Sequence, residues 1–89
     1  MKYKLFYTLK AKKDLSNFNL NITKKILDKI DFYIETDEPL KHSKKLSNFK
    51  FGTYRFRIGD YRAIFDVDNK GNIIILIILR IKHRKEVYL

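Results

Sequence analysis

The chain of 89 residues has no cysteine, no tryptophan, one proline and three glycines. The lack of cysteine excludes disulfides, thiolate metal sites and a thiol nucleophile. Long apolar runs are lacking as well: the longest, residues 73–79, has the length of a strand and falls far short of the ~18 residues of a membrane span. Because the amino-terminal residues also lack the apolar core of a signal peptide, we expect a cytoplasmic protein with no membrane contact.

Acidic residues are scarce: ten Asp and Glu stand against twenty Lys and Arg, which leaves a net charge of +10. Such a field repels a second copy of the chain and attracts polyanions, so we expect a monomer whose partners are nucleic acid, the ribosome or an acidic protein. A hydrophobic content of 45%, with 15% aromatic residues, excludes general disorder. The length suits one domain, residues 1–89, with a single core.

Residues 54–65 alternate between apolar and basic side chains and are predicted to form a β-hairpin. The Gly-Asp pair at 59–60 suits its two-residue turn, because the first central position requires a positive φ that glycine adopts without strain. The register that follows places Arg57 directly opposite Arg62, with Arg55 on the same face. The aromatic and aliphatic residues of the hairpin share the other face, which we expect to be buried.

The outer face of this hairpin favours an anionic ligand. Like charges that face each other, as Arg57 and Arg62 do, destabilise a sheet by roughly tenths of a kcal/mol. Arginine is, however, the side chain whose planar fork best matches a phosphate group. A solvated basic face, whose aliphatic stems cover apolar surface, is the alternative explanation. We favour phosphate binding for three arginines on one face of so basic a chain.

The elements before the hairpin follow from alternation and capping signals. Residues 2–7 alternate and are predicted to form a first strand. Thr8 can cap a short helix, and Asn19 or Asn21 can cap a longer one that ends before Pro39. Both helices carry apolar residues at spacings of three and four, so we expect both to pack on one face of the sheet.

The segment from Leu40 to Leu46 has turn composition and is predicted to be a connecting loop. Four of its seven residues are Lys or His, and its lysines, Lys41, Lys44 and Lys45, can form a docking patch for RNA phosphates that adds affinity without reading sequence. An exposed loop that merely tolerates lysine explains the same residues equally well.

A turn at residues 68–71 is predicted to close a second hairpin with a three-residue loop, which sets Ile78 opposite Arg62. In that register the odd-numbered residues of the isoleucine-rich strand face the helices. Arg80 and Lys82 then lie on the same side as the arginines of the first hairpin. This surface, the arginine face, is predicted to carry five cations: Arg55, Arg57, Arg62, Arg80 and Lys82. The predicted fold class is α+β, with a small twisted, mainly antiparallel four-stranded sheet that includes an N-terminal strand, and with two helices packed on one face.

Motifs of the common catalytic and metal sites are absent from the sequence, which has no GxGxxG, Walker or HExxH pattern and no zinc-ligand spacing. The residues present suit binding or cleavage of a phosphodiester without a metal or cofactor, because arginines can stabilise a pentavalent phosphorane. Proton transfer is then expected from His83, Tyr88 or Lys82. A surface histidine and a tyrosine that packs the chain end would explain the first two without chemistry.

The chain resembles the RelE/ParE toxin superfamily of bacterial and archaeal toxin–antitoxin modules. The resemblance covers nearly the whole chain and is carried by Lys44-Lys45-Leu46, by the Arg-Ile-Gly-Asp-Tyr-Arg hairpin at 57–62, and by the terminal stretch His83-Arg84-Lys85-Glu86-Val87-Tyr88. RelE-type members are ribosome-dependent mRNA endonucleases that drive the RNA's own 2′-hydroxyl onto the adjacent phosphate. The resemblance therefore implies a toxin of a type II toxin–antitoxin system with this activity.

The resemblance also implies roles for the arginines of the first hairpin. Arg55 and Arg57 lie where RelE-like toxins have basic residues, and Arg62 matches the arginine that stabilises the phosphate. RelE itself has lysine as the proposed base on the first strand, whereas arginine is a poor base. Arg55 and Arg57 are therefore expected to act electrostatically, and the identity of the base stays open.

The end of the chain supplies the remaining implied site residues. Lys82, or Arg84, falls near the second catalytic arginine of the family, and Tyr88 matches a near-terminal tyrosine that stacks on the base or assists proton transfer. His83 has counterparts in relatives that use a late histidine as general acid. The predicted RNA-binding residues are Arg80, Arg84, Lys41, Lys44 and Lys45.

ParE-type members share the hairpin but inhibit DNA gyrase and lack the nuclease residues, so a gyrase inhibitor is the alternative that the resemblance leaves open. A catalytically inactive, RNA-binding relative is a further alternative. In every case the resemblance implies a cognate antitoxin, acidic in part, that wraps the toxin and neutralises it. The charge of +10 makes such a partner physically sensible.

Overall fold

The computed structural model describes residues 2–46 and 53–87 and contains a five-stranded sheet in the order β1-β5-β4-β3-β2. Strand β1 runs parallel to β5, and the other three neighbouring pairs are antiparallel. The predicted α+β class is confirmed, with one strand more than predicted. The elements in chain order are β1 Lys2–Tyr7, α1 Leu9–Ser16, α2 Leu20–Ile34, a 3-10 turn Pro39–His42, β2 Ser43–Lys45, β3 Tyr54–Ile58, β4 Tyr61–Lys70, β5 Ile73–His83 and α3 Arg84–Val87.

Both predicted helices form, and they begin at predicted capping residues. The side-chain oxygen of Thr8 accepts a hydrogen bond from the Ala11 N–H, and that of Asn19 accepts one from the Ile22 N–H. The apolar stripes of the two helices join one core cluster with the inner face of the sheet, as predicted. Within residues 2–46 and 53–87, no helix is long and apolar enough to cross a membrane.

The first hairpin has the predicted register. Tyr54 pairs with Phe65, Phe56 with Ala63, and Ile58 with Tyr61. Phe56, Ala63 and Phe65 are fully buried, so the apolar side of the hairpin forms the centre of the core. The turn residue Gly59 has φ +59°, the positive value that the sequence required.

We expect Gly59→Ala to lower the free energy of unfolding by about 1 kcal/mol, because an L-residue is strained in the left-handed region. A Cβ at this position has room, since its nearest neighbour would be Lys25 Nζ at 4.0 Å. The cost should therefore be conformational and not steric. Urea denaturation measures it, and Gly59→Asn is the matched control because asparagine tolerates this region better. An alanine variant as stable as the wild type would contradict the assignment.

The segment from Leu40 to Leu46 was predicted to be a loop but contains strand β2, the strand that the prediction lacked. Residues 39–42 form the 3-10 turn, after which Ser43, Lys44 and Lys45 pair with Phe56, Arg55 and Tyr54 of β3. The prediction was wrong because three residues are too few to show alternation. They become a strand through hydrogen bonding to the free edge of the hairpin, which is a long-range effect.

The second hairpin has a different register from the predicted one. Lys70 pairs with Ile73 across a two-residue turn, and Phe65 pairs with Ile78. Ile74, Leu76 and Ile78 are consequently buried against the helices, while the odd-numbered residues of this stretch lie on the outer face. The sequence could not fix this parity, because the strand is apolar on both faces.

A β-bulge corrects the parity further along β5. The register shifts between Ile64 and Phe65, which pair with Arg80 and Ile78 respectively, so that Leu79 is the extra residue. Beyond the bulge, Ile81 is buried in the core, as predicted, and Lys82 pairs with Arg62. The bulge thus returns Arg80 and Lys82 to the outer face of the sheet, where they were predicted to lie.

Candidate functional site

A cavity of about 200 Å³ on the outer face of the sheet is lined by His42, Lys44, Arg55, Arg57 and Arg62. Three neighbouring strands supply its cations, since Lys44 lies opposite Arg55 and Arg57 opposite Arg62. The cavity is small for a drug-sized ligand, and its concentration of positive charge suits a phosphate group. We call it the arginine pocket. Three of the four arginines of the predicted arginine face therefore do converge.

Arg62 is the most deeply buried of the pocket cations. Its side chain is only 4% exposed, and its Nη1 donates hydrogen bonds to the carbonyls of Gly59 and Tyr61, each at 2.9 Å. A buried charge needs such partners, because leaving it unsatisfied would be costly. These contacts tie the guanidinium to the tight turn of the first hairpin. The turn that the Gly-Asp pair dictates therefore also orients the central arginine.

Lys82 lies on the arginine face, as predicted, but it pairs with Arg62, where the predicted register had placed Ile78. Its side chain is only 12% exposed, and its Nζ is 3.6 Å from Glu86 Oε2, one turn further along the chain. The end of β5 and the start of α3 thus place one carboxylate against this cation.

His42 lines the arginine pocket but is not among the site residues predicted from the sequence. Its ring stacks on that of Tyr33 from α2, with centroids 4.9 Å apart and an interplanar angle of 20°. The Tyr33 hydroxyl donates to the Arg57 carbonyl at 3.2 Å, which anchors the pair at the edge of β3. The sequence could place His42 in the pocket only if β2 had been predicted, because the pairing of residues 43–45 with β3 brings residue 42 alongside Arg57.

Arg80 is placed differently from the prediction. Although it pairs with Ile64 on the outer face, its Nε and Nη2 bind both carboxylate oxygens of Asp14 in α1, at 2.8 and 3.0 Å. The backbone N–H of Ile81 donates to the same carboxylate at 2.9 Å. Strand β1 ends before this part of β5, so α1 covers the free edge and Asp14 meets it. Arg80 therefore forms a structural ion pair and does not line the arginine pocket.

The ion pair shifts the pKa values of both partners. Burial alone would raise the pKa of Asp14, but hydrogen bonds from Arg80 and from the Ile81 N–H, together with the charges of Arg80 and Lys82, hold it below its usual value. The hydrogen bond to Asp14 raises the pKa of Arg80 in turn. Both groups are consequently held in their charged forms.

His83 lies on the face opposite to the arginines. It pairs with Tyr61, whose ring it meets edge-on with centroids 5.4 Å apart, and Tyr61 packs on Phe18 of the helical layer. Its Nδ1 accepts a long hydrogen bond from the Lys85 N–H. The structure thus separates His83 from Arg62, with which the sequence had grouped it, because adjacent residues of a strand point to opposite faces.

Three further predicted residues, Arg84, Lys41 and Lys45, lie outside the lining of the arginine pocket. The Nε of Arg84 is 3.7 Å from Asp60 Oδ1, and Lys41 pairs with Glu38 at 2.7 Å. Lys45 is opposite Tyr54 and so faces away from Lys44. Their contacts with RNA stay predictions, and Tyr88 lies outside the described residues. In the part of the chain that the structure describes, no three His, Asp or Glu side chains are grouped so that they could hold a metal ion.

Comparison with known proteins gives consistent matches over nearly the whole chain. Residues 5–88 match the family model described as the ParE toxin of the type II toxin–antitoxin system parDE. Toxin RelG of Mycobacterium tuberculosis is 30% identical over 88 residues, which cover 99% of this chain and 98% of that protein. The chain is also similar to two solved complexes.

The first is the toxin–antitoxin complex RelBE2 from Mycobacterium tuberculosis, with a TM-score of 0.72 and 27% identity over 94% of this chain and 100% of the matched one. The second is the archaeal RelE–RelB complex from Pyrococcus horikoshii, with a TM-score of 0.65 and 26% identity over 94% and 97% of the two chains. The matches found by sequence and those found by fold thus belong to the same group of proteins.

Proposed function

The chain belongs to the RelE/ParE toxin superfamily of type II toxin–antitoxin systems, and we propose that it acts as a ribosome-dependent mRNA endonuclease. The observation that carries this proposal is the arginine pocket, where three arginines and a lysine surround a space suited to a phosphate. The similarity to toxins named RelG and RelE supports the same branch. Its place of action would be the cytoplasm.

In the proposed reaction the pocket receives the phosphate that follows the cleaved nucleotide. The RNA 2′-oxygen attacks phosphorus and loses its proton, while the bond from phosphorus to the 5′-oxygen breaks and that oxygen gains a proton. Arg62, already fixed by two carbonyls, would stabilise the added negative charge of the phosphorane without reorganising. The more exposed Arg57 and Lys44 would hold the incoming strand.

We further propose a cognate antitoxin as the protein partner. Both solved relatives described above are toxin–antitoxin complexes. A basic toxin favours an acidic partner. On the outer face, the aromatic ring of Phe6 is 57% exposed beside the partly exposed Ile77, its neighbour across the sheet, so an apolar segment of the antitoxin could dock there.

A gyrase inhibitor of the ParE type is the second candidate function. The matching family model carries the ParE description. The position of His83 on the face away from the arginines also removes one residue that argued for nuclease chemistry. Such a protein would act by binding and not as an enzyme.

We expect the purified protein to cut mRNA on programmed ribosomes, with ends that map within codons, and to leave gyrase supercoiling unaffected. Primer extension and a supercoiling assay, run on the same preparation, measure the two activities. Loss of supercoiling without mRNA cleavage would establish the second candidate. RNA binding that weakens steeply with salt, but without any cleavage, would indicate an inactive relative.

A further inference from the structure

His42 is the one proton-exchanging side chain among the residues that line the arginine pocket; the other four are lysine or arginine. Histidine gains and loses a proton near neutral pH, whereas lysine and arginine ordinarily stay protonated there. We propose that His42 is the proton-transfer residue of this pocket, an inference that rests on the endonuclease function proposed above. The sequence marks His42 only as one member of the Lys- and His-rich segment at residues 40–46, without a chemical role.

The structure does not allow His83 to share this task at the same phosphate. The sheet lies between its ring, which contacts Tyr61 on the helical side, and the arginines on the outer side. His42 instead lines the same cavity as Arg55, Arg57 and Arg62. Of the two histidines, His42 is therefore the one placed to reach a phosphate in the arginine pocket.

The surroundings of His42 fix the ring while leaving its nitrogens usable. Stacking on Tyr33 covers one flat face of the imidazole. The two nitrogens lie at the edge of the imidazole ring, which this stacking does not cover. Two contacts hold Tyr33 in turn: its hydroxyl donates to the Arg57 carbonyl, and its ring packs against that of Phe56, with centroids 4.8 Å apart. A ring positioned in this way needs little further ordering before it reacts.

The step assigned to His42 is removal of the proton from the attacking 2′-hydroxyl. The neutral imidazole takes this proton as the bond from the 2′-oxygen to phosphorus forms and the bond from phosphorus to the 5′-oxygen breaks. The departing 5′-oxygen takes a proton from water, and the resulting hydroxide is neutralised by the imidazolium. The products are a 2′,3′-cyclic phosphate and a 5′-hydroxyl, and His42 returns to its starting state.

The test is single-turnover cleavage on programmed ribosomes by the His42→Gln variant. We expect the rate to fall about 10²-fold, at the lower end of the usual contribution of a general base. Ribosome affinity, measured in parallel, should change by less than about threefold, since glutamine keeps much of the size and polarity of histidine. His83→Gln is the comparison variant, because His83 is the other histidine of the chain. Its cleavage rate should fall far less than that of His42→Gln.

A second variant separates chemistry from packing. Free imidazole should restore cleavage to His42→Gly but should not accelerate the wild type, and N-methylpyrrole, a ring of similar size without a basic nitrogen, should not restore it. Cleavage by His42→Gln within about threefold of the wild type would overturn the inference and leave the endonuclease function standing. Failure of imidazole to restore His42→Gly would also overturn it. A wild-type protein that cuts no mRNA would instead overturn the proposed function, and this inference with it.

Discussion

Replacing Arg62 by lysine is expected to lower the rate of mRNA cleavage by 10²- to 10³-fold, or about 2.7–4 kcal/mol of transition-state stabilisation. The arginine can bond the Gly59 and Tyr61 carbonyls and still present N–H groups to a phosphate, because its planar fork carries several donors. A lysine ammonium at this buried position can satisfy the carbonyls or the phosphate, but not both with the same geometry. The charge is conserved, so the loss reports on geometry.

Single-turnover kinetics on programmed ribosomes measures this effect, and toxicity in a plating assay should fall in parallel. Lys24→Arg is the control that also conserves charge, since Lys24 is exposed in its pair with Asp28 and lies outside the lining of the pocket. Thermal denaturation of both variants shows whether Arg62→Lys, which is buried, remains folded. A folded Arg62→Lys protein that retains the wild-type rate would refute the phosphate-binding role of the pocket.

The first hairpin could be predicted in detail because three local signals agree. Its two faces differ in polarity, the Gly-Asp pair selects a two-residue turn, and the turn fixes the parity of both strands. The opposition of Arg57 and Arg62 follows from these signals alone and is confirmed. Helix caps at Thr8 and Asn19 were predictable for the same reason, as each is a local interaction between residues three positions apart.

Features that depend on distant parts of the chain were not predictable in this way. The parity of β5 is set by a two-residue turn and a bulge, which a strand apolar on both faces leaves undetermined. The entry of His42 into the arginine pocket depends on the pairing of β2 with β3. Arg80 was expected on the arginine face, yet a carboxylate 66 residues earlier in the chain holds its guanidinium.

These differences separate the four arginines of the predicted arginine face into two groups. Arg55, Arg57 and Arg62 line the pocket, together with Lys44. Arg80 ties α1 to the exposed part of β5 through its ion pair with Asp14. Substitutions in the two groups should accordingly have different signatures: lost activity with retained stability for the first, and lost stability for the second.

Asp14→Ala is expected to lower the free energy of unfolding by about 2–3 kcal/mol. The substitution leaves the Arg80 guanidinium and the Ile81 N–H without the carboxylate that accepts three hydrogen bonds from them. The side chain of Asp14 is 15% exposed and that of Arg80 33% exposed, so water can compensate part of the loss and the full cost of a broken buried pair does not apply. Chemical denaturation of both proteins measures the difference.

The pH dependence of that difference tests its origin. Because the folded protein holds the pKa of Asp14 below the ordinary value of 3.8, the carboxylate adds its full stability above that value and loses it as pH falls through the lower, folded pKa. The gap in unfolding free energy between wild type and Asp14→Ala should thus be constant near neutral pH and shrink in acid below about pH 4. Asp28→Ala is the control: Asp28 is 62% exposed in its pair with Lys24, so its removal should barely alter stability at any of these pH values. If Asp14→Ala lowered the unfolding free energy at neutral pH as little as Asp28→Ala does, the ion pair would not fasten α1 to β5.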